Sequence, residues 1–442
     1  MKNKRISRRS FFAGAGTLGA ASLFPLGGWA KESGGKRIIL VQADGGWDTT
    51  FCLNPRLSSS AIDGPDQFST MQGVDREEIV DFGNGGPDTL KVMINDAKRA
   101  SVTTFFDNFA SNSIIVNGIY TSSLVHEACR YRMITGTRSN ESPDIGMIGG
   151  LLGSSEYAVP YLDLGGAGLF GTYSAMTLQL GRSNQIIAHL DRERELPGPR
   201  LGVTYPGFVP ATAQQSAIED FLLKRQDRLV GAGFGGASSV QRIADYREAL
   251  DRKERVLVEA VSGGLLDQIE FGSTPGFGNQ AELAVSLMSA GLCHSVGLDS
   301  GVSWDTHNQL EQQNELYKDL FLGLLSLSFG LKQVPGLWEE TIVVVLSEMT
   351  RKPRMNTTGG KDHWPSTSAL VFGGGISGGR TLGGSDAGLN ALNVNLSSGL
   401  VDSSSSGSSL YYSSFVAGLA HAVGQDPAEW FPHEEVLHGI VD

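Results

Sequence analysis

Four short stretches concentrate the residues able to do chemistry. The first is Asp44-Gly45-Gly46-Trp47-Asp48. The second runs from Tyr120 through three hydroxyls, Thr121, Ser122 and Ser123, to His126-Glu127. The third is Trp304-Asp305-Thr306-His307. The fourth is Ser347-Glu348-Met349-Thr350-Arg351, followed by Gly359-Gly360-Lys361-Asp362-His363. Together they hold four Asp, two Glu and three His. Carboxylates and imidazoles in this mixture bind divalent cations and leave a position open for substrate or water. The ion then polarises an ester oxygen and activates a nucleophile. Each residue alone has a plainer reading. An Asp at a turn usually caps a helix, Asp305-x-His307 suits a polar turn, and His363 suits a surface.

The elements that position these stretches are legible from periodicity. Short apolar runs rich in β-branched residues predict strands over Lys36–Ala43, Ser113–Gly118, Ala158–Leu164, Cys293–Asp299, Thr341–Leu346 and Ser368–Phe372. Helices are expected over Asp88–Ala110, His126–Thr135 (closed by Gly136), Gln280–Gly291, Asn308–Gln333 and Leu410–Val423. Ala213–Val261 reads as two charged amphipathic helices split by the Gly-rich stretch 231–236. Residues 55–90, 165–212 and 383–409 lack a period and read as irregular. Strands alternating with long helices indicate an α/β fold, a mostly parallel central sheet flanked by helices on both faces. In such folds functional groups gather outside the carboxyl ends of strands. The polar stretches sit at four expected strand ends.

Composition narrows the class. The 442 residues carry 35 Lys+Arg against 47 Asp+Glu, a net charge of −12. That argues against nucleic-acid binding, which needs a basic stripe. Hydrophobic residues make up 40%, enough to bury a core. No Walker or Rossmann fingerprint accompanies the many Gly-Gly pairs. Three cysteines, Cys52, Cys129 and Cys293, exclude a disulfide scaffold, and the absence of Cys-x-x-Cys argues against a cysteine zinc site.

Ser7-Arg8-Arg9-Ser10-Phe11-Phe12 resembles a twin-arginine export signal. A weakly apolar run, Ala13–Leu26, follows, and Gly28-Trp29-Ala30 offers small residues for cleavage before Lys31. Residues 1–30 therefore read as a leader that engages the twin-arginine translocation machinery. The mature protein is expected to be periplasmic or secreted. No later apolar run of about 18 residues appears, so the mature chain should lack a membrane span.

The segment from Thr341 to His363, with its apolar strand, Ser347-Glu348, Arg351, Pro353, Asn356 and Gly359-Gly360-Lys361-Asp362-His363, resembles the signature of the DUF1501 family. Trp304-Asp305-Thr306-His307, Gly45-Gly46-Trp47-Asp48 with Pro55, His126-Glu127-Ala128 and Gly373-Gly374-Gly375 resemble it too, in order along residues 36–383. The family is similar to the alkaline phosphatase and sulfatase superfamily, which implies a two-metal centre. By that resemblance Asp44 or Asp48 fits the first metal ligand, and Asp305 and His307 an Asp/His pair. Glu348 fits a strand-end ligand, and His363, beside Asp362, the last histidine. A sulfatase stretch resembles His126…Arg130…Ile134-Thr135-Gly136, which puts His126 at the nucleophile position. Family members usually carry Ser before this histidine; here the residue is Val125. No residue fits the nucleophile, and His126 reads better as a ligand or general base.

The expectation is one alkaline phosphatase-like α/β domain over residues 31–442, with a cap or insertion around 165–275. Its metal ligands are drawn from Asp44, Asp48, Asp305, His307, Glu348, Asp362 and His363. The cofactors are divalent ions of the zinc, calcium, magnesium or manganese kind. Arg351 is expected to add a forked donor to a small anionic ester, with His126 beside it. The chain then reads as an exported hydrolase of phosphate or sulfate esters. The competing reading is a non-catalytic cell-surface binding or assembly protein on the same fold.

Overall fold

The computed structural model describes residues 35–179, 196–197, 204–205, 212–231 and 276–441. The leader at 1–30, the second of the two charged helices and most of the insertion expected at 165–275 lie outside the described residues. The strands of the central sheet are β1 Arg37–Gln42, β2 Ser113–Tyr120, β3 Val159–Asp163 and β4 Thr177–Gln179. They continue with β5 Cys293–Asp299, β6 Thr341–Leu346, β7 Ser366–Gly373 and β8 Arg380–Gly383. Their order across the sheet is β8-β2-β7-β6-β1-β5-β3-β4. Five of the seven neighbouring pairs are parallel, and only β7 runs against both its neighbours. All six predicted strands are present in this sheet.

The pattern of β1 and β6 explains why the sheet is covered twice. Ile39, Val41, Val343 and Val345 fall in one apolar cluster, while Ile38, Leu40, Ile342, Val344 and Leu346 fall in the other. Successive side chains of a strand face opposite sides, so strands apolar at every position need two cores. The first core is closed by α1 Asp96–Phe109, α4 Phe277–Ser289 and α5 Gln313–Gln333. The second is closed by α2 His126–Thr135, α3 Ile145–Gly150 and α6 Tyr412–Val423.

One element differs from expectation. Asp88–Ala110 is not one helix: Lys91–Ile94 pairs with Glu78–Asp81 as a small antiparallel ribbon, and the helix starts after it. The divider is Asn95, whose side chain accepts from the backbone of Ala97 and Lys98 and so caps α1. The helix expected to start at Ala213 spans Thr212–Gly231. Cys52, Cys129 and Cys293 are buried and form no disulfide. Among the described residues no helix is long and apolar enough to cross a membrane.

Candidate metal centre

Strand direction gathers the site. β1, β2, β5 and β6 run the same way, so the segments carrying Asp44, His126, Asp305 and Glu348 all leave one edge of the sheet. β7 is reversed, so its amino end lies at that edge and the preceding loop brings His363 there. Close packing of backbone then fixes the loops. Gly45 has φ +120°, and a Cβ on it would come within 2.6 Å of the Trp304 and Asp305 nitrogens. A Cβ on Gly360 would lie 2.1 Å from the His307 carbonyl carbon. The glycine pairs of both motifs thus let two loops close on the Asp305–His307 segment.

Three donors form a compact triangle. His307 Nε2 lies 2.9 Å from His363 Nε2 and 3.1 Å from Asp305 Oδ1. His363 Nε2 lies 3.5 Å from the same Oδ1. His126 adds a nitrogen beside them, with Nε2 3.6 Å from Asp305 Oδ2. Each imidazole is held at its other nitrogen by an oxygen. His126 Nδ1 meets Glu348 Oε1 at 2.8 Å, His307 Nδ1 meets Asp362 Oδ1 at 3.3 Å, and His363 Nδ1 meets the Leu124 carbonyl at 2.8 Å. The Leu124 carbonyl only accepts, so His363 Nδ1 carries a proton, and Glu348 favours one on His126 Nδ1; His307 has a carboxylate at each nitrogen. Three imidazole nitrogens and a carboxylate thus face one another, and His126, Asp305 and His363 each offer a ligand atom within 4.8 Å of the others. A cation resolves that arrangement. Donors roughly 2.0–2.1 Å from a tetrahedral zinc-type ion stand about 3.3 Å apart, close to the triangle's three edges.

The electrostatics follow from these contacts. Burial would raise Asp305, but the Arg351 hydrogen bond and charge, with His307, outweigh it and hold the carboxyl below its usual range. The Glu348 hydrogen bond raises His126 above the ordinary histidine value. Burial lowers His363, keeping it neutral and ready to ligate. Asp362 is lowered by hydrogen bonds from Asn356 and Lys352.

Several expected ligands take other positions. Glu348 is 2% exposed, and its Oε1 accepts from both His126 and the Gly45 N–H, so it stands behind His126 as a buttress. Asp362 stands in the same way behind His307. Asp48 is not brought to the cluster. It is fully buried, its Oδ2 paired with Lys361 Nζ at 2.6 Å and its Oδ1 accepting from the Thr50 amide and hydroxyl. A carboxylate neutralised by a buried ammonium has no call for a second cation.

Arg351 is likewise no free anion donor. It is 0% exposed, and its fork donates to the carbonyls of Gly46, Gly45, Trp304 and Lys361 and, at 2.7 Å, to Asp305 Oδ1. It ties the loops together and orients Asp305.

Beside the triangle opens a cleft of about 720 Å³, lined by Asp44, His126, Arg130, Asp299, Asp305 and Glu348 among others. Asp44 therefore faces the cleft, with Oδ2 3.7 Å from Arg130 Nε. Its Oδ1 is shielded and unpaired, although the side chain as a whole is about one-third exposed. Burial, then the charge of Glu348, pushes its carboxyl up to about 7. Sequence reasoning passed over Asp299 and named Arg130 only within the stretch that resembles a sulfatase's. Arg130 lies four residues after His126 on α2, hence on the same helical face. Asp299 is the last residue of β5, at the carboxyl edge where site residues collect.

The fold and site define an α/β protein whose sheet edge carries an Asp/His group fit to hold a metal. The chain matches the family described as "Protein of unknown function (DUF1501)" over residues 209–426, which take in Asp305, His307, Glu348, Arg351, Asp362 and His363. No curated protein matches the sequence. Among solved structures it is similar to a protein in the alkaline phosphatase superfamily from Vibrio parahaemolyticus, at 11% identity, TM-score 0.34, covering 90% of this chain and 71% of that one. It is also similar to the phosphonate monoester hydrolase of Agrobacterium radiobacter, at 11% identity, TM-score 0.34, covering 92% and 77%. A third is the lipoteichoic acid synthase of Listeria monocytogenes, at 8% identity, TM-score 0.36, covering 92% and 75%.

Proposed function

We propose that the protein is an exported, metal-dependent hydrolase of phosphate or sulfate esters, a DUF1501 member whose motifs run over residues 36–383, and alkaline phosphatase-like in architecture. The observation that carries this reading is the cluster of Asp305, His307 and His363 with His126 beside it, whose ligand atoms stand close enough to share one zinc-type ion. Three protein ligands leave a position for substrate or water, as a catalytic site requires. A divalent ion held there supplies Lewis-acid polarisation of the ester oxygen. The chain supplies the rest. Arg351 orients Asp305, Asp362 orients His307, and the Leu124 carbonyl fixes His363. The cleft beside them has room for a small anionic ester. Export by the twin-arginine route, which carries folded proteins, suits a centre loaded before translocation.

A second reading, a non-catalytic exported binding or assembly protein, draws on two observations. Met349, next to Glu348, is buried and offers no ligand to a hard cation. Val125 stands exposed just before His126 and offers no hydroxyl where the family resemblance implies one. One experiment separates the readings. Protein purified after folded export is analysed for metal and assayed with 4-nitrophenyl phosphate and 4-nitrophenyl sulfate. Bound metal with nitrophenol release is expected. Metal without release would favour the binding protein, and metal-free protein would remove the hydrolase reading altogether.

A further inference from the structure

Resting on the hydrolase reading, we propose that the cleft selects singly charged esters, a sulfate monoester or a phosphate diester, and discriminates against the doubly charged phosphate monoester.

The charges lining the cleft carry the argument. Five carboxylates, Asp44, Glu127, Asp299, Asp305 and Glu348, stand against one guanidinium, Arg130. A divalent ion at the triangle and a protonated His126 together would still leave the lining negative once Asp44, pushed up to about 7, is ionised. Asp299 shows the same crowding. Burial raises its carboxyl, and the charges of Asp163 and Glu348 add to the rise.

Among the described residues around the site, the other cations are engaged elsewhere. Arg351 is sealed among four carbonyls and Asp305. Lys361 Nζ lies 2.6 Å from Asp48 Oδ2, and both side chains are fully buried. Lys352 Nζ lies 3.2 Å from Asp362 Oδ2. Arg130 is itself opposed: its Nη2 donates to the Ala167 carbonyl at 2.9 Å, and its Nε stands 3.7 Å from Asp44 Oδ2. The ion therefore meets one ester charge, and a second charge meets only carboxylates.

The exposed apolar surfaces suit the organic part of such an ester. Val302 on the cleft wall is 48% exposed, and Val125, just before His126, is 62% exposed. Both offer contact to alkyl or aryl groups and none to charge. At roughly 7 Å and an effective dielectric between about 20 and 80, one surplus charge alters affinity about threefold to fiftyfold, and less at high salt.

The test uses mature, zinc-loaded protein in low salt at about pH 8.5, where a phosphate monoester, with its second pKa near about 6, carries two charges. kcat/KM is measured for 4-nitrophenyl sulfate, bis(4-nitrophenyl) phosphate and 4-nitrophenyl phosphate. Calorimetry measures binding of two unreactive analogues of similar shape, benzenesulfonate with one charge and phenylphosphonate with two. One of the singly charged esters should be turned over faster than the monoester, and which one it is separates sulfate from diester. Asp299→Asn and Glu127→Gln keep acceptors for the Gly301 N–H and the Tyr131 hydroxyl while removing one charge each. Each should shift both the kinetic and the binding ratio toward the doubly charged partner by about threefold or more. Intrinsic reactivity, and any preference of zinc for phosphonate, cancel in that comparison with wild type. A wild-type preference for the monoester, or ratios unmoved in both variants, would overturn the inference and leave the hydrolase standing. Two ions per chain by elemental analysis, with one lost in Asp299→Asn, would overturn it as well, by making that carboxylate a ligand. No turnover of any of the three esters would end the hydrolase reading and this inference with it.

Discussion

Arg351→Met separates two roles for one residue. An arginine reserved for a substrate anion would lose anion binding and little stability. The Arg351 of this structure is completely buried and holds five acceptors: four carbonyls and Asp305 Oδ1. Removing one partner of a buried charge pair costs about 3–5 kcal/mol. Asp305 is one-third exposed, and water recovers part of that loss, which favours the lower half of the range. The carbonyls left without donors add roughly 1 kcal/mol each where water cannot reach them. The Trp304 carbonyl keeps the Thr306 and Gln313 donors, so up to three carbonyls are stranded and a net loss of about 3–7 kcal/mol follows, which a domain stable by about 5–15 kcal/mol survives only in part. Freed from its holder, Asp305 should also bind metal roughly 10–100-fold more weakly. Arg351→Lys keeps the charge but not the fork, and should fall between. Urea unfolding of the metal-free protein and zinc titration measure the two effects. A stability loss under about 1 kcal/mol with unchanged zinc affinity would refute the packing role and restore the sequence-based assignment.

Three further outcomes are expected. His363→Ala should lose bound metal and ester turnover together, with the fold kept because His363 sits in a two-residue ribbon outside both cores; wild-type zinc affinity should fall as pH drops below the ordinary histidine range, since burial lowers His363 and protonated imidazole cannot ligate. Asp44, whose carboxyl is pushed up to about 7, binds its proton more tightly folded than unfolded, so metal-free wild type should lose stability as pH rises from the ordinary carboxylate range toward 7. Asp44→Asn should abolish that loss, seen as a higher Tm than wild type at alkaline pH and little difference in acid. Lys at both Arg8 and Arg9 should leave precursor in the cytoplasm, by fractionation and immunoblot, if export uses the twin-arginine route.

The sheet was legible because its strands are unusually plain. Six short apolar runs bounded by glycine or polar turns became six strands, and the residues after β1, β2, β5 and β6, with those before the reversed β7, became the site edge. Lys91–Ile94 was not legible, because a four-residue strand leading straight into a helix leaves no loop between them and only Asn95 marks the break. At the site, Asp305, His307 and His363 were readable as donors. Their division from Asp48 and Arg351 was not, since it depends on Lys361 and on four backbone carbonyls that no spacing reveals.

The same contrast explains what the motifs are for. Gly-Gly-Trp-Asp and Gly-Gly-Lys-Asp-His look like two sets of ligands, yet within them only His363 joins the triangle. Trp47 is buried against Trp304 and Tyr317, and Asp48 closes on Lys361, so the first motif is chiefly a wedge behind the second. Its glycines let that wedge reach the Asp305 backbone, and Arg351 ties the pieces through carbonyl oxygens. Precision at Asp305 thus comes from groups that touch no substrate. Substitutions in either glycine pair should therefore act on the metal through misplaced loops, as a Cβ at Gly45 or Gly360 would collide with backbone that cannot give way.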